Sequence, residues 1–484
     1  MTQLNAMVRP HYVLIAYIAL VFLLGGGARD DVASLALLRP LSIIVLGYAM
    51  VTADPKQMRS NRMLLGLAGA WVTLVALHLV PLPPQVWHAL PGRELAVEID
   101  RAAGLVDHWR PISLVPYRTL NSLLSLSVPL AALVLAINLT RFQLRVTAYA
   151  LIGLVLLSAL LSLLQTIGGS SNPFYLYRIT NYDAAVGLFA NRNHNAMMFA
   201  FGIVALGALT SLHRPARELR RMWPIALGIA AVALLPFLIL TGSRAGLVLG
   251  ALSLGGFWLL QAERGKALGK TSSPRKKQAL PSAKMLAGAA CAVILSALTW
   301  TMTTGGAFAR LLQTDSADEE LRLRIWPTTW DLVWQHFPVG SGIGTFVEVF
   351  EVAEPTSTLG PSYINHAHND FLELAMTGGL PAILILIAGA LWLLPRGIGQ
   401  VRAAEGPDRT LRLLGFQTLV LLALGSLYDY PLRTPSMAIV FILALVWIAG
   451  CAPHSSPIDQ SAKHSKRSGQ EAAPAMSAMS QEGF

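Results

Sequence analysis

The sequence predicts an all-α polytopic membrane protein, and three observations carry that prediction. Apolar runs of 16 to 25 residues recur along the chain, each long enough to cross a bilayer as a helix. Of the 484 residues, 54% are hydrophobic and only 13% are charged, as such runs require. The basic residues fall in short clusters between the runs, dense in alternate segments. Their surplus gives a formal charge of +11, but no single groove or arm collects it, so topology explains the charge better than a nucleic-acid partner does.

Read between charge and turn signals, the runs give about twelve transmembrane helices, near 11–27, 32–51, 63–80, 119–139, 145–167, 186–210, 223–241, 245–260, 285–303, 377–395, 411–427 and 435–450. The first has no small-residue cleavage site and a second run follows at once, so it reads as a retained span rather than a signal peptide. With the N-terminus inside, 24 of the 37 basic residues, including all eight lysines, lie on the inner side. Because basic residues near span ends stay cytoplasmic, both termini are assigned there. Cys291 and Cys451 read as small buried hydrophobes, not as a disulfide framework.

The membrane domain thus covers 1–450. Residues 451–484, rich in Ser, Ala, Gln and Pro, are expected to form a disordered cytoplasmic tail. Two outer segments are long enough to fold, 81–118 and the larger 304–376. In the second, Leu323, Trp326, Trp330, Val333 and Phe337 recur at three- and four-residue steps. That spacing predicts a helix lying along the membrane surface with its aromatics at headgroup level, started or kinked by Pro327.

Polar residues gather at three outer positions. In "GLFANRNHNA" (187–196), Asn191, Arg192, Asn193, His194 and Asn195 interrupt the opening turns of a span, roughly 8 to 14 Å below its end at 1.5 Å per residue. They must face protein or water, or cap a broken helix with their own amides. In "TGSRAG" (241–246), Arg244 stands on the side where basic residues are disfavoured, and its planar guanidinium suits a phosphate held by two parallel hydrogen bonds. The third position combines "LRLRIW" (321–326), with Arg322 and Arg324, and "NHAHNDFLEL" (365–374), with His366, His368, Asn369 and Asp370.

His366, His368 and Asp370 alternate as in some hydrolytic metal sites, but no second outer cluster offers ligands and the outer arginines would compete with a cation. No metal or cofactor is therefore expected. General-base chemistry fits the imidazoles better, since a neutral ring can take a proton from an attacking hydroxyl. The bland alternative is that Asn365 caps the helix feeding the next span while the histidines sit in interfacial water.

Taken in order, "GLFANRNHNA", "TGSRAG", "RLRIW", "HFPVGSGIGTF" (336–346) and "HAHNDFLELAMTGGLPA" (366–382) resemble the O-antigen ligase and O-antigen polymerase family of bacterial envelope enzymes over about 187–382. The resemblance implies a GT-C-like fold with a large periplasmic loop containing short helices, in the bacterial inner membrane. It implies a periplasmic-side glycosyltransferase that moves a saccharide from a polyprenyl diphosphate to an acceptor hydroxyl, on another glycan or on lipid A core. Carried over by motif, His368 is the essential histidine, and Arg244 with Arg322 binds the donor diphosphate. Arg324 competes with Arg322, which lies four residues before Trp326 as the family's arginine does. Asn191, Arg192, Asn193, His366, Asn369, Asp370 and Arg433 are expected to support them. "YDYPLRTPS" (428–436), which holds Arg433, is more like polymerase members, and leaves the acceptor open. The rival class is a twelve-span transporter or lipid-linked glycan flippase, which predicts ionisable residues near the bilayer midplane. None of the proposed spans contains Asp or Glu.

Overall fold

The computed structural model describes residues 10–168, 172–182, 184–213, 215–220, 222–269, 317–360, 363–402 and 407–450. The expected span at 285–303, residues 270–284 before it, both cysteines and the tail from 451 lie outside the described residues.

The described chain is almost entirely helical. In order, the helices are α1 (Pro10–Leu24), α2 (Leu35–Thr52), α3 (Pro55–Ser60), α4 (Arg62–Leu77), α5 (Pro84–His88), α6 (Glu94–Ala103), α7 (Pro116–Ser125), α8 (Ser127–Ile137), α9 (Arg141–Gly168), α10 (Arg192–Leu212), α11 (Trp223–Ala233), α12 (Leu235–Leu240), α13 (Arg244–Gly269), α14 (Ala317–His336), α15 (Phe346–Ala353), α16 (Asp370–Arg402), α17 (Pro407–Ser426) and α18 (Pro435–Ala449). Seven helical stretches are long and apolar enough to cross a membrane: Leu35–Thr52, Pro116–Ile137, Arg141–Ile167, Arg192–Leu212, Trp223–Leu240, Arg244–Gln261 and Asp370–Gln400. Shorter apolar helices fill Pro10–Leu24, Arg62–Leu77 and Pro435–Ala449. The molecule is a multi-span membrane protein.

At its centre stands α10, of which 94% of the apolar window is buried, against 50% or less for every other candidate span. Small residues allow this close packing. A Cβ on Gly202 would come within 2.7 Å of Val155 on α9, and one on Gly207 within 2.9 Å of the Phe257 backbone on α13. On the far side, Trp447 of α18 stacks on Phe201 at 6.4 Å and donates its indole N–H to Thr147.

Two expectations about α10 and α16 need correction. The sixth span does not begin near 186, because α10 starts at Arg192, capped by the Asn191 side chain. Gly187 takes a left-handed φ of 57° and the stretch before it is pinned by Gln165, whose side chain accepts from Val186 and Gly187 N–H. The asparagines and His194 therefore lie at a helix start, not sunk below one. Asp370 and Glu373 also belong to the first turn of a helix that continues into a span, so the absence of acids from the spans does not hold for α16.

Within α16 the backbone breaks at Gly379 (φ 59°, ψ −156°). Pro381 has no N–H, so the Thr377 carbonyl loses its usual partner, and Gly342 N–H supplies a bond at 2.9 Å. Leu380 N–H turns to the Pro338 carbonyl at 2.8 Å, freeing Met376 to accept from Ser341 N–H at 3.1 Å. The glycine-rich loop after α14 thus fills the break with its own backbone.

That loop also ties the two outer segments together. Residues Pro81–Leu82 and Arg110–Pro111 pair as a two-stranded antiparallel ribbon, a small exception to the all-helical expectation. Beside it Arg93, only 1% exposed, donates to the carbonyls of Ile112 and Gly340 at 2.6 and 3.2 Å. Burial lowers its pKa to about 10, still charged at neutral pH.

Helix α14 exists as expected, with Pro327 inside it rather than at its start. Of the predicted stripe, Val333 is buried, Trp326 and Phe337 are half-buried and Trp330 is exposed. Ile325, Thr329, Leu332, Val333 and His336 face inward, packing with Phe346 and Phe350, whereas Trp330 and Trp334 are exposed. Trp326 is half-buried and donates to the Ala367 carbonyl at 2.9 Å.

Candidate active site

Three segments far apart in sequence meet at one end of the bundle: the start of α10, the approach to α16, and the turn between α17 and α18. Each is shaped by local backbone chemistry. Asn191 accepts from Asn193 N–H at 2.8 Å as the N-cap of α10. Asn369, not Asn365, caps α16, accepting from Phe371 and Leu372 N–H at 3.1 and 3.0 Å. Pro431 and Pro435 set the turn that carries Asp429, Tyr430 and Arg433.

Among the described residues, His368 is the only non-glycine with a left-handed φ, 51°. A branched-off conformation of this kind costs on the order of 1–3 kcal/mol and persists only where neighbours enforce it. Here it directs the imidazole to the Tyr430 ring, 5.0 Å between centroids, and to Asp429, whose Oδ1 lies 3.4 Å from Nδ1. That is an ion-pair distance without hydrogen-bond alignment, since His368 Nδ1 has no hydrogen-bond partner. The Asp429 Oδ2 atom accepts from Asn193 at 2.7 Å and from Asn191 at 3.2 Å. Burial raises this carboxyl, but contact with His368 and positive charge including that of Arg322 outweigh burial and hold it well below the usual carboxylate range.

Tyr430 is the hub of the cluster. Its ring meets His194 at 5.3 Å, His366 at 4.3 Å and His368 at 5.0 Å, and Asn365 donates to its hydroxyl at 3.4 Å. Burial, reinforced by Asp429, pushes the phenol up, so it stays protonated.

Beneath the histidines runs a second charge network. His366 Nδ1 lies 3.1 Å from Glu373 Oε1, and Glu373 Oε2 accepts from Ala367 N–H at 3.1 Å. Arg433 bridges Glu373 and Asp370, 3.3 Å from each. Asp370 also accepts from the Ser426 hydroxyl at 2.9 Å. Burial works against the Arg433 charge, and the two carboxylates more than restore it.

The two candidate arginines of α14 diverge. Arg322 is half-buried, its Nε lacks a hydrogen-bond partner, and its charge acts on both Asp429 and Tyr430. Arg324 is exposed and donates to the Ser357 carbonyl at 3.1 Å. Arg244 begins α13, capped by Ser243, whose hydroxyl accepts from Gly246 N–H at 2.9 Å. A Cβ on Gly246 would touch Ala196, so Arg244 stands beside the first turn of α10, at the same end of the bundle. Arg192 is half-buried and its backbone N–H meets the Asn181 side chain at 3.0 Å.

The structure therefore joins Asn191, Asn193, His366, His368, Asp370 and Arg433 directly. Glu373, Asp429 and Tyr430 were missed as site residues. Both stretches that hold them had been singled out, but a carboxylate one turn into a helix and a Tyr in a Pro-rich turn carry no signal of role without their partners. Among the described residues no three His, Cys, Asp or Glu side chains converge as a metal site.

One end of this helical membrane protein thus collects imidazoles, carboxylates, amides and a guanidinium. Residues 229–387 match the family model described as O-antigen ligase, which places that region in the O-antigen ligase and polymerase family of membrane glycan-processing enzymes. The match includes the Arg244, Arg322 and His368 motifs and begins after the first polar cluster. No curated protein matches the chain in sequence.

Proposed function

We propose that the chain is a periplasmic-side glycosyltransferase that moves a saccharide from a polyprenyl diphosphate to an acceptor hydroxyl. The observation that carries this reading is the meeting of His368 with Asp429, itself held by the α10 asparagines, which sets one imidazole against an orienting carboxylate. With Nδ1 turned to an ionised carboxylate, Nε2 is the nitrogen left to act as base. Apo contacts of this kind are commonly long and tighten with substrate.

In the proposed step, His368 Nε2 takes the acceptor hydroxyl proton while that oxygen attacks the anomeric carbon. The bond from that carbon to the diphosphate oxygen breaks, and the diphosphate leaves with the electron pair. Arg322 and Arg244 supply fixed positive charge where the leaving group gains negative charge. The exposed side chain of Arg324 favours Arg322 as the ligand. In-line attack gives inversion. Polymerisation and ligation to lipid A core share this chemistry and differ in acceptor.

The topology that goes with it has about twelve spans in a GT-C-like arrangement in the bacterial inner membrane, with both termini cytoplasmic. The ionisable groups of the site sit at helix starts and in a turn, where a transporter would place them near the middle of its spans.

Purified protein supplied with a polyprenyl diphosphate glycan and candidate acceptors tests the reading. His368→Ala is expected to lose about 10²- to 10⁴-fold in transfer rate, and Arg322→Ala and Arg244→Ala to lose both transfer and donor binding. Transfer and carrier release that persist in all three overturn the assignment.

A further inference from the structure

A second polar cleft lies at the opposite end of the bundle. It has a volume of about 430 Å³ and is lined by Asn61, Arg62 and Met63 at the start of α4, Trp392 and Arg396 late in α16, and Gly450 after α18. Gly450 follows α18, whose 15 residues, roughly 22 Å of helix, lead away from the turn that carries Asp429, so this cleft is remote from His368.

Its charge is one-sided. Arg412 joins Arg62 and Arg396, because a Cβ on Gly450 would fall 3.0 Å from Arg412 Nη2. None of the three guanidiniums has a carboxylate partner among the described residues. Arg396 instead lies over the Trp392 ring at 4.6 Å and donates to the Trp392 carbonyl at 2.8 Å. Three guanidiniums with no carboxylate partner among the described residues, around a space of this size, suit an anion with several acceptor oxygens.

The flanks are apolar. Leu391, Leu394 and Ile398 on α16 and Met63 on α4 are exposed beside the cleft, and Trp392 with Arg396 is a pairing suited to the depth where headgroups meet hydrocarbon. An amphiphile satisfies both surfaces, whereas a free ion satisfies only one.

We propose that this cleft is a binding site for the phosphate headgroup of an anionic phospholipid, with its acyl chains lying along the exposed face of α16. Basic pockets between transmembrane helices recognise such headgroups by the same means. The proposal is independent of the glycosyltransferase reading.

The test is the thermal stability of the full-length protein in phosphatidylcholine nanodiscs, with and without phosphatidylglycerol, and separately with inorganic phosphate. A ligand that binds only the folded state raises the melting temperature. Wild type is expected to gain stability from phosphatidylglycerol and none from inorganic phosphate. Arg62→Gln/Arg396→Gln is expected to lose most of that gain, Arg62→Lys/Arg396→Lys to retain part of it, and Arg178→Gln, at the other end of the molecule, to retain all of it. Both cleft arginines are exposed, so the double variant should remain monodisperse with wild-type helicity, and it is compared on that condition. An equal gain in the Gln variant, a gain from inorganic phosphate alone, or no preference for the anionic lipid overturns the proposal.

Discussion

Asp429 accepts hydrogen bonds from two asparagines of α10 while facing an imidazole carried on the approach to α16. Its removal should separate orientation from folding. Asp429→Asn keeps the shape and loses the charge, and transfer is expected to fall on the order of 10²-fold or more, as for other histidines deprived of their orienting carboxylate. The same variant has a signature in stability. A carboxyl whose folded pKa is depressed stabilises the fold above its unfolded value and loses that contribution as pH falls through the folded one. Wild type should therefore lose stability as pH drops below the ordinary 3.8, and Asp429→Asn should show a flatter acid limb. Acid denaturation followed by intrinsic fluorescence reads the difference. An acid limb as steep in the variant as in wild type removes Asp429 from the network.

Helix α16 is interrupted where a neighbouring loop docks into it. The "TGGLP" stretch (377–381) announces a break through two glycines and a proline, and the sequence-based boundary at 377 falls at the break rather than at the start of the helix. What the sequence did not disclose is the partner, since the loop of "VGSGIG" (339–344) fills the gap with main-chain groups, which every residue possesses. For the same reason the sequence does not divide the faces of α14. Period alone located the helix, but exposed Trp330 and Trp334 look as apolar as buried Ile325 and Leu332, and only the packing against Phe346 and Phe350 tells the faces apart. Gly379→Ala offers a direct test of the break. Its Cβ would fall 2.2 Å from the Pro338 carbonyl oxygen in a conformation hostile to L side chains, so a loss of about 2 kcal/mol or more in denaturant titration is expected. A neutral outcome means the loop and helix do not hold each other.

Taken whole, the molecule divides its polar chemistry between two ends. The sidedness argued from lysine placement puts the His368 end outside. In a background free of Cys291 and Cys451, Leu359→Cys should react with an impermeant maleimide in intact cells, and Glu218→Cys, exposed between α10 and α11, only after permeabilisation. The reverse pattern inverts the topology. Span positions were legible because a bilayer imposes length and hydropathy directly on sequence. His368 and Asn191 were legible because their motifs are compact. Asp429 was not, because its meaning depends on residues nearly two hundred and forty positions upstream. That separation bears on biosynthesis. A ribosome releases Asn193 and later His368 well before Asp429 emerges, so a nascent chain holds its imidazole without its counter-charge, and any truncation ahead of the final turn leaves this cluster incomplete however well the earlier helices insert.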